Sequence, residues 1–256
     1  MNNILQSIES WAGDSNLLLN ETKTKQMLVT IRQMSRVHDL GDYTPPLSLK
    51  NKLVNSVDRF RLLGTLLSED LKCTEHVNNV TSSCFGVLAV LRKIKNMTPQ
   101  ETKKSLVQSL VLSKLNFNDT VTYPLPMFLQ KRMQRVQNAA AGFVLNNYCS
   151  EEDVLQLGWL PTLENTKLNI LKLGNRALYN NNWPEHLTLS RHNPSRTLRS
   201  SSTPLLQISL LKGTFQDSVA NLYNDLPASI SSITDYHRFV KESAKIPKAK
   251  AIMRLA

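Results

Sequence analysis

Apolar and polar positions follow two regimes along the 256-residue chain, and the change comes at Thr74. Before it, apolar residues come in short clusters between turn-forming ones. Ile4 to Trp11 has helical spacing and predicts a short helix. Leu17–Leu19, a polar turn from Asn20 to Thr24 and a second apolar run predict a turn feeding a strand, so residues 1–32 read as helix, turn and strand. Residues 33–58 read as irregular, and Pro45-Pro46 marks a loop with at most short strands. Phe60–Ser68 is apolar with Gly64 in its middle, which predicts one strand with a bulge or a close backbone approach.

From Thr74 onward the spacing is three and four. Val77, Val80, Cys84, Val87, Leu91 and Ile94 fall on one helical face, with Thr74 as the expected N-cap. Thr98–Glu101 reads as a capping box with Pro99 at the first helical position. The helix it opens presents Leu106, Val107, Leu110, Val111 and Leu115. A long helix starts near Pro126 with Leu129, Met133, Val136, Ala140 and Phe143 on its stripe. Ser150 with Asp153 caps a short helix ended by Gly158. An amphipathic helix follows over 162–179. Residues 186–216 contain no acidic residue and read as an exposed loop. Thr214 caps a helix stopped by Pro227, Thr234 caps a last one carrying Tyr236, Phe239 and Val240, and the basic tail reads as loose. The pattern therefore predicts a mainly α chain, α+β at its N-terminus, with short strands confined to roughly the first 70 residues.

Charge sharpens this picture. The chain carries a net +11. From Phe85 to Tyr148 there are nine cations (Arg92, Lys93, Lys95, Lys103, Lys104, Lys114, Lys131, Arg132, Arg135) against two acids (Glu101, Asp119), a local excess of +7. Arg92 with Lys95, and Arg132 with Arg135, stand one helical turn apart. A helix pair with an apolar seam and a basic face suits a nucleic-acid backbone, because each cation at a phosphate releases a counterion. Nothing resembles a base-reading motif, so sequence-nonspecific binding is expected, with Arg92, Lys93, Lys95, Lys131, Arg132 and Arg135 as candidate contacts.

Catalytic constellations are missing from the pattern. His38, His76, His186, His192 and His237 are isolated from one another, and no His-Glu-x-x-His, Gly-x-Ser-x-Gly or glycine-rich phosphate loop occurs. Ser68-Glu69-Asp70 offers two neighbouring carboxylates without a third ligand and reads as a strand-to-helix turn. Cys73, Cys84 and Cys149 form no Cys-x-x-Cys pair, which argues against a zinc knuckle, and their sparseness fits a reducing compartment, cytoplasm or nucleus. No apolar run approaches the ~18 residues of a spanning helix, and the N-terminus lacks the pattern of a signal peptide, so no membrane partner is expected. Composition and spacing alone describe a basic helical binding module. A scaffold or interaction module without nucleic-acid binding is the alternative.

Five blocks occur in a familiar order: IESWAGDSNLLLNETKTKQML, RFRLLGTLLSEDLKCTEHV, RVQNAAAGFVLNNY, LGWLPT…LNILKL…ALYNNNWPEHL and GTFQDSVANLYNDLPASI. Together they resemble the C-terminal portion of the reverse transcriptase (RNA-directed DNA polymerase) of LINE-type, non-LTR, jockey-like retrotransposons, over nearly the whole chain. The resemblance implies a palm remnant with a primer-grip-like hairpin over 1–70, a helical thumb over 71–149 and a helical extension over 150–256, including the basic loop 186–216. Asn20, Lys23 and Thr24 match a palm motif that follows the catalytic aspartates. Those aspartates, with the Mg2+ ions they hold in the parent enzyme, are expected upstream of Met1. The implied chain binds RNA or an RNA–DNA hybrid without polymerising and needs no cofactor of its own. It departs from the family at Cys73, where an aromatic is common, and at Ala141-Gly142, where an arginine is usual. Tyr223 stands for a usual tryptophan and Ser231 for a frequent arginine. These departures fit a decaying copy of a mobile element.

Overall fold

A computed structural model describes residues 2–40, 46–50, 52–180, 182–192 and 205–246, and of Arg32 the backbone only. The described fold is mainly helical with a few short strands. Contacts divide the chain into two compact units, Met1–Asn78 and Asn79–Ala256.

In the first unit, α1 (Asn2–Asp14) buries Ala12 and leaves Ile4, Ile8 and Trp11 exposed on one face. β1 (Lys25–Gln26) is brief, since the apolar run after it is not strand. α2 (Arg32–Val37) occupies part of the stretch expected to be irregular. β2 (Ser48–Leu49) pairs antiparallel with β3 (Lys52–Leu53), and β1 pairs parallel with β4 (Asn55–Ser56). The side chain of Asn2 ties α1 to this region, donating to the Pro46 carbonyl at 3.3 Å and accepting from the Ser48 amide at 3.3 Å.

Phe60–Ser68 is not one bulged strand. β5 (Arg59–Leu62) and β6 (Thr65–Ser68) form an antiparallel hairpin with Leu62 opposite Thr65. Leu63 (φ 46°) and Gly64 (φ 90°) make the two-residue turn. Positive φ at both central residues is what the right-handed strand twist demands of such a loop, so Gly64 serves a turn, not a bulge. His76, buried in the first turns of the following helix, accepts the Leu66 amide on Nδ1 at 3.2 Å. Burial and the nearby Arg61 charge hold its imidazole below the usual histidine range.

α3 (Thr74–Arg92) opens at the end of the first unit and runs on into the second. Thr74 is its first helical residue, not its cap. Cys84, Leu88 and Leu91 are buried, while Ile94 lies past the helix end and is exposed. Burial pushes the Cys84 thiol up to about 11. α4 (Gln100–Val107) has Pro99 at its N-cap. The expected capping box does not form, because the Thr98 hydroxyl donates backward to the Ile94 carbonyl at 2.9 Å. α4 continues through a π-helical segment (Gln108–Leu112) into α5 (Ser113–Leu115). The wider turn shifts the buried stripe, so that Val111 and Leu112 are inside and Leu110 is exposed. α6 (Met127–Leu145) buries Leu129, Val136, Ala140 and Phe143 as expected. Ser150 and Asp153 form a reciprocal capping box on α7 (Glu151–Gln156), and Gly158 takes φ +79° after it. One core gathers α3, α4, α6, α7 and Trp159.

α8 (Thr162–Tyr179) fills the predicted span. It packs against α9 (Phe215–Asn224) and α11 (Tyr236–Ser243), with α10 (Ala228–Ser231) leading into α11. A second core holds Ile170, Val219, Tyr223 and Phe239. Tyr223 stacks on Phe239 at 6.4 Å and donates its hydroxyl to the Ser231 carbonyl. Thr214 caps α9 through the Asp217 amide, but α11 is capped by Asp235, not Thr234, through the Arg238 amide at 2.7 Å. The 186–216 stretch is not simply an exposed loop. Arg191 bridges Leu206, and Leu206 is buried with both its backbone groups held by the Asn224 side chain. Residues 193–204 of that loop and the tail 247–256 lie outside the described residues. Among the described residues no helix is long and apolar enough to cross a membrane.

Candidate nucleic-acid interface

Three of the predicted cations meet in one place. α3 ends at Arg92, a 3-10 turn (Lys95–Met97) follows, and α6 runs beside them. Arg92, Lys95 and Arg135 line a cleft of about 590 Å³ together with Asn138, Gly142, Phe143, Asn147 and Tyr148. Arg92 and Arg135 are exposed and Lys95 is half-buried. Among the described residues no carboxylate lines the cleft and none of the three cations is in an ion pair. Arg92 also lies in the last turn of α3, where positive charge complements the helix dipole.

The cleft floor depends on a glycine. A Cβ at Gly142 would stand 2.7 Å from the Asn147 carbonyl oxygen, so α6 can be followed this closely by its own C-terminal turn only without a side chain there. Asn146 closes the helix in the left-handed conformation at φ 59°. Any side chain at position 142 would collide with the backbone of this turn.

The remaining candidates scatter. Lys93 and Arg132 are exposed but line no part of this cleft. Lys131 lines a separate depression of about 200 Å³ with Glu151 and Glu164, so its surroundings are not free of acid. Lys103, counted with the basic face by sequence, is 3% exposed. Its ammonium donates to Asn146 Oδ1 at 2.9 Å and lies 5.7 Å from the Phe143 ring centre. Lys114 turns to Ser83 Oγ at 3.0 Å. The spacing of charges missed Asn138, Asn147 and Tyr148. The legible signal for Asn147 and Tyr148 is the run Asn146-Asn147-Tyr148, where the apolar stripe of α6 stops, and Asn138 has none.

Two neighbouring polar residues of α6 have structural work instead. Gln134 Oε1 accepts from both the amide and the hydroxyl of Thr162, at 3.0 and 3.1 Å, and so caps the start of α8. Gln137 donates to the Leu160 carbonyl at 2.8 Å.

The Asn20, Lys23 and Thr24 group is a closed turn in the first unit. Asn20 Oδ1 accepts from the Thr22 amide at 3.0 Å, the Thr22 hydroxyl at 2.7 Å and the Lys23 amide at 3.0 Å. Its carbonyl accepts the Thr24 amide and hydroxyl. Asn and Thr at this spacing are what such a side-chain-closed turn uses, and Lys23 is exposed beside it. Asp70 is likewise engaged, by the Ser68 hydroxyl at 2.8 Å and the Lys72 amide at 3.1 Å, which lower its carboxyl to about 2. Among the described residues no three His, Cys, Asp or Glu side chains are grouped to hold a metal ion. Comparison with protein-family models, with curated proteins and with solved structures finds no match to this chain.

Proposed function

We propose that the chain derives from the C-terminal portion of a LINE-type reverse transcriptase and that its own activity is sequence-nonspecific binding of RNA or an RNA–DNA hybrid through the α3–α6 cleft. The observation that carries the binding reading is the convergence of Arg92, Lys95 and Arg135 on one acid-free cleft. Like charges gathered without counter-charges repel one another, and an anion placed among them relieves that repulsion. Origin in the retrotransposon family rests on the five ordered sequence blocks.

Salt-dependent anisotropy tests the binding. The logarithm of affinity for a labelled RNA–DNA hybrid should fall by about 0.7–0.9 per log unit of salt for each phosphate neutralised. Arg92→Ala/Arg135→Ala should flatten that slope by about two and weaken all sequences equally. Slopes equal to wild type would remove the cleft from the interface.

A second reading has its own support. Ile4, Ile8 and Trp11 are 63%, 43% and 62% exposed on one face of α1, which favours an interaction module. On that reading nucleic-acid binding is feeble and indifferent to the double substitution.

A further inference from the structure

We infer that the cleft takes a single-stranded segment or end, with an unpaired base stacked on Tyr148, instead of tracking the backbone of a duplex. The inference rests on the nucleic-acid reading above and gives it a substrate class. Its first ground is size. About 590 Å³ falls within the roughly 300–1,000 Å³ of pockets that enclose a small molecule. That is room for one or two nucleotides and not for a helical groove. The second ground is the distribution of charge. A duplex-tracking face would need cations spread along the helices, yet Lys93 and Arg132 line no part of the cleft and Lys131 sits with two acids elsewhere.

The third ground is Tyr148 itself. Its side chain is 98% exposed at the edge of a basic cleft, so it contributes nothing to either core. The backbone that carries it is nevertheless well held. Its amide donates to Asn147 Oδ1 at 2.8 Å, Gly142 packs under the Asn147 carbonyl, Cys149 beside it is buried and Ser150 begins a capping box. An aromatic plate fixed at its base and open on its faces, next to three cations, has the composition of a single-strand site. Phosphates meet the cations and a base meets the ring, whatever its sequence. Asn138 Oδ1 is engaged by Gln134 and Asn147 Oδ1 by Tyr148, so the amide nitrogens are the ends that can donate to a base.

The test compares an 8-nucleotide RNA with a blunt RNA–DNA hybrid in anisotropy titrations of wild type, Tyr148→Ala, Tyr148→Phe and Arg92→Ala/Arg135→Ala. Wild type should prefer the single strand. Tyr148→Ala should weaken single-strand binding about 5- to 100-fold with an unchanged salt slope, because no cation is lost. Tyr148→Phe keeps the ring and should stay within about twofold of wild type. The melting temperature of each Tyr148 variant should match wild type, as expected for a side chain open to water. Equal affinity of Tyr148→Ala and wild type for the single strand overturns the stacking site while a lost salt slope in the arginine variant keeps the cleft. Equal loss for single strand and hybrid also overturns it. Absence of binding by wild type itself removes both readings.

Discussion

Two glycines in helices of the second unit give opposite expectations for the same substitution. Gly86 in α3 has nothing within 4 Å of where a Cβ would stand. Gly86→Ala should therefore show only the gain in helix propensity, about 0.5–1 kcal/mol. At Gly174 in α8 a Cβ would lie 2.4 Å from Val219 Cγ1 and 3.4 Å from Cγ2. Carbon pairs rest at about 3.5–4.0 Å, so the overlap exceeds 1 Å. Val219 is fully buried between the helices and has little room to turn away. Overpacking of this kind costs about 1–3 kcal/mol, and after the same propensity gain a net loss of about 1–2 kcal/mol remains. The propensity gain is common to both, so the two variants should differ by the overpacking cost, about 1–3 kcal/mol, despite identical chemistry. Urea denaturation followed at 222 nm measures both, since both residues belong to one compact unit. Val219→Ala removes the obstructing methyl, so Gly174→Ala in that background should be neutral or stabilising, a coupling of about 1–2 kcal/mol. A Gly174→Ala protein at least as stable as wild type, or zero coupling to Val219, would refute the close-crossing argument.

Gly142→Ala should open the turn that carries Tyr148, lowering stability by about 1–3 kcal/mol and weakening single-strand binding; a melt paired with an anisotropy titration checks both effects. Leu63 holds φ 46° in the hairpin turn with its side chain 86% exposed, so Leu63→Asn should relieve about 1 kcal/mol of left-handed strain, seen as greater amide protection across β5 and β6. The folded-state pKa of His76 is depressed, so its contribution to stability is full above the ordinary 6.5 and is lost as pH falls from there toward the folded value. Protection factors at the Leu66 amide, measured from pH 7.5 to 5, should show that loss in wild type and none in His76→Asn, whose oxygen accepts without titrating.

Where one physical signal acts alone, the chain could be read directly. The 162–179 helix and the Ser150–Asp153 cap follow from periodicity and local hydrogen bonding, and the structure reproduces them. Periodicity fails where the backbone changes its own period. Over Gln108–Leu112 a π-helical turn spends an extra residue, so Leu110 faces water although its spacing from Leu106 says otherwise. Gly64 shows a different limit, because a bulge and a two-residue turn use the same residue and only the partner strand tells them apart. Three of the predicted caps failed: Thr74 lies inside the helix it was expected to open, the Thr98 hydroxyl turns back to the Ile94 carbonyl, and Asp235 takes the place of Thr234. In the candidate site, charge counting found Arg92, Lys95 and Arg135 but could not see that Lys103 packs inward. Charge density along a sequence does not carry direction, and a long aliphatic stem lets lysine serve a core.

The double duty of α6 makes it a strut between the cleft and the helix at 162–179. Arg135 on one side of it lines the cleft, while Gln134, the adjacent residue, clasps the first residue of α8 and Gln137 holds the strap before it. Sliding or rolling α6 by even an ångström would stretch hydrogen bonds already at 2.8–3.0 Å beyond useful length. A shift of α6 at the cleft would therefore strain the hydrogen bonds that anchor the start of the 162–179 helix.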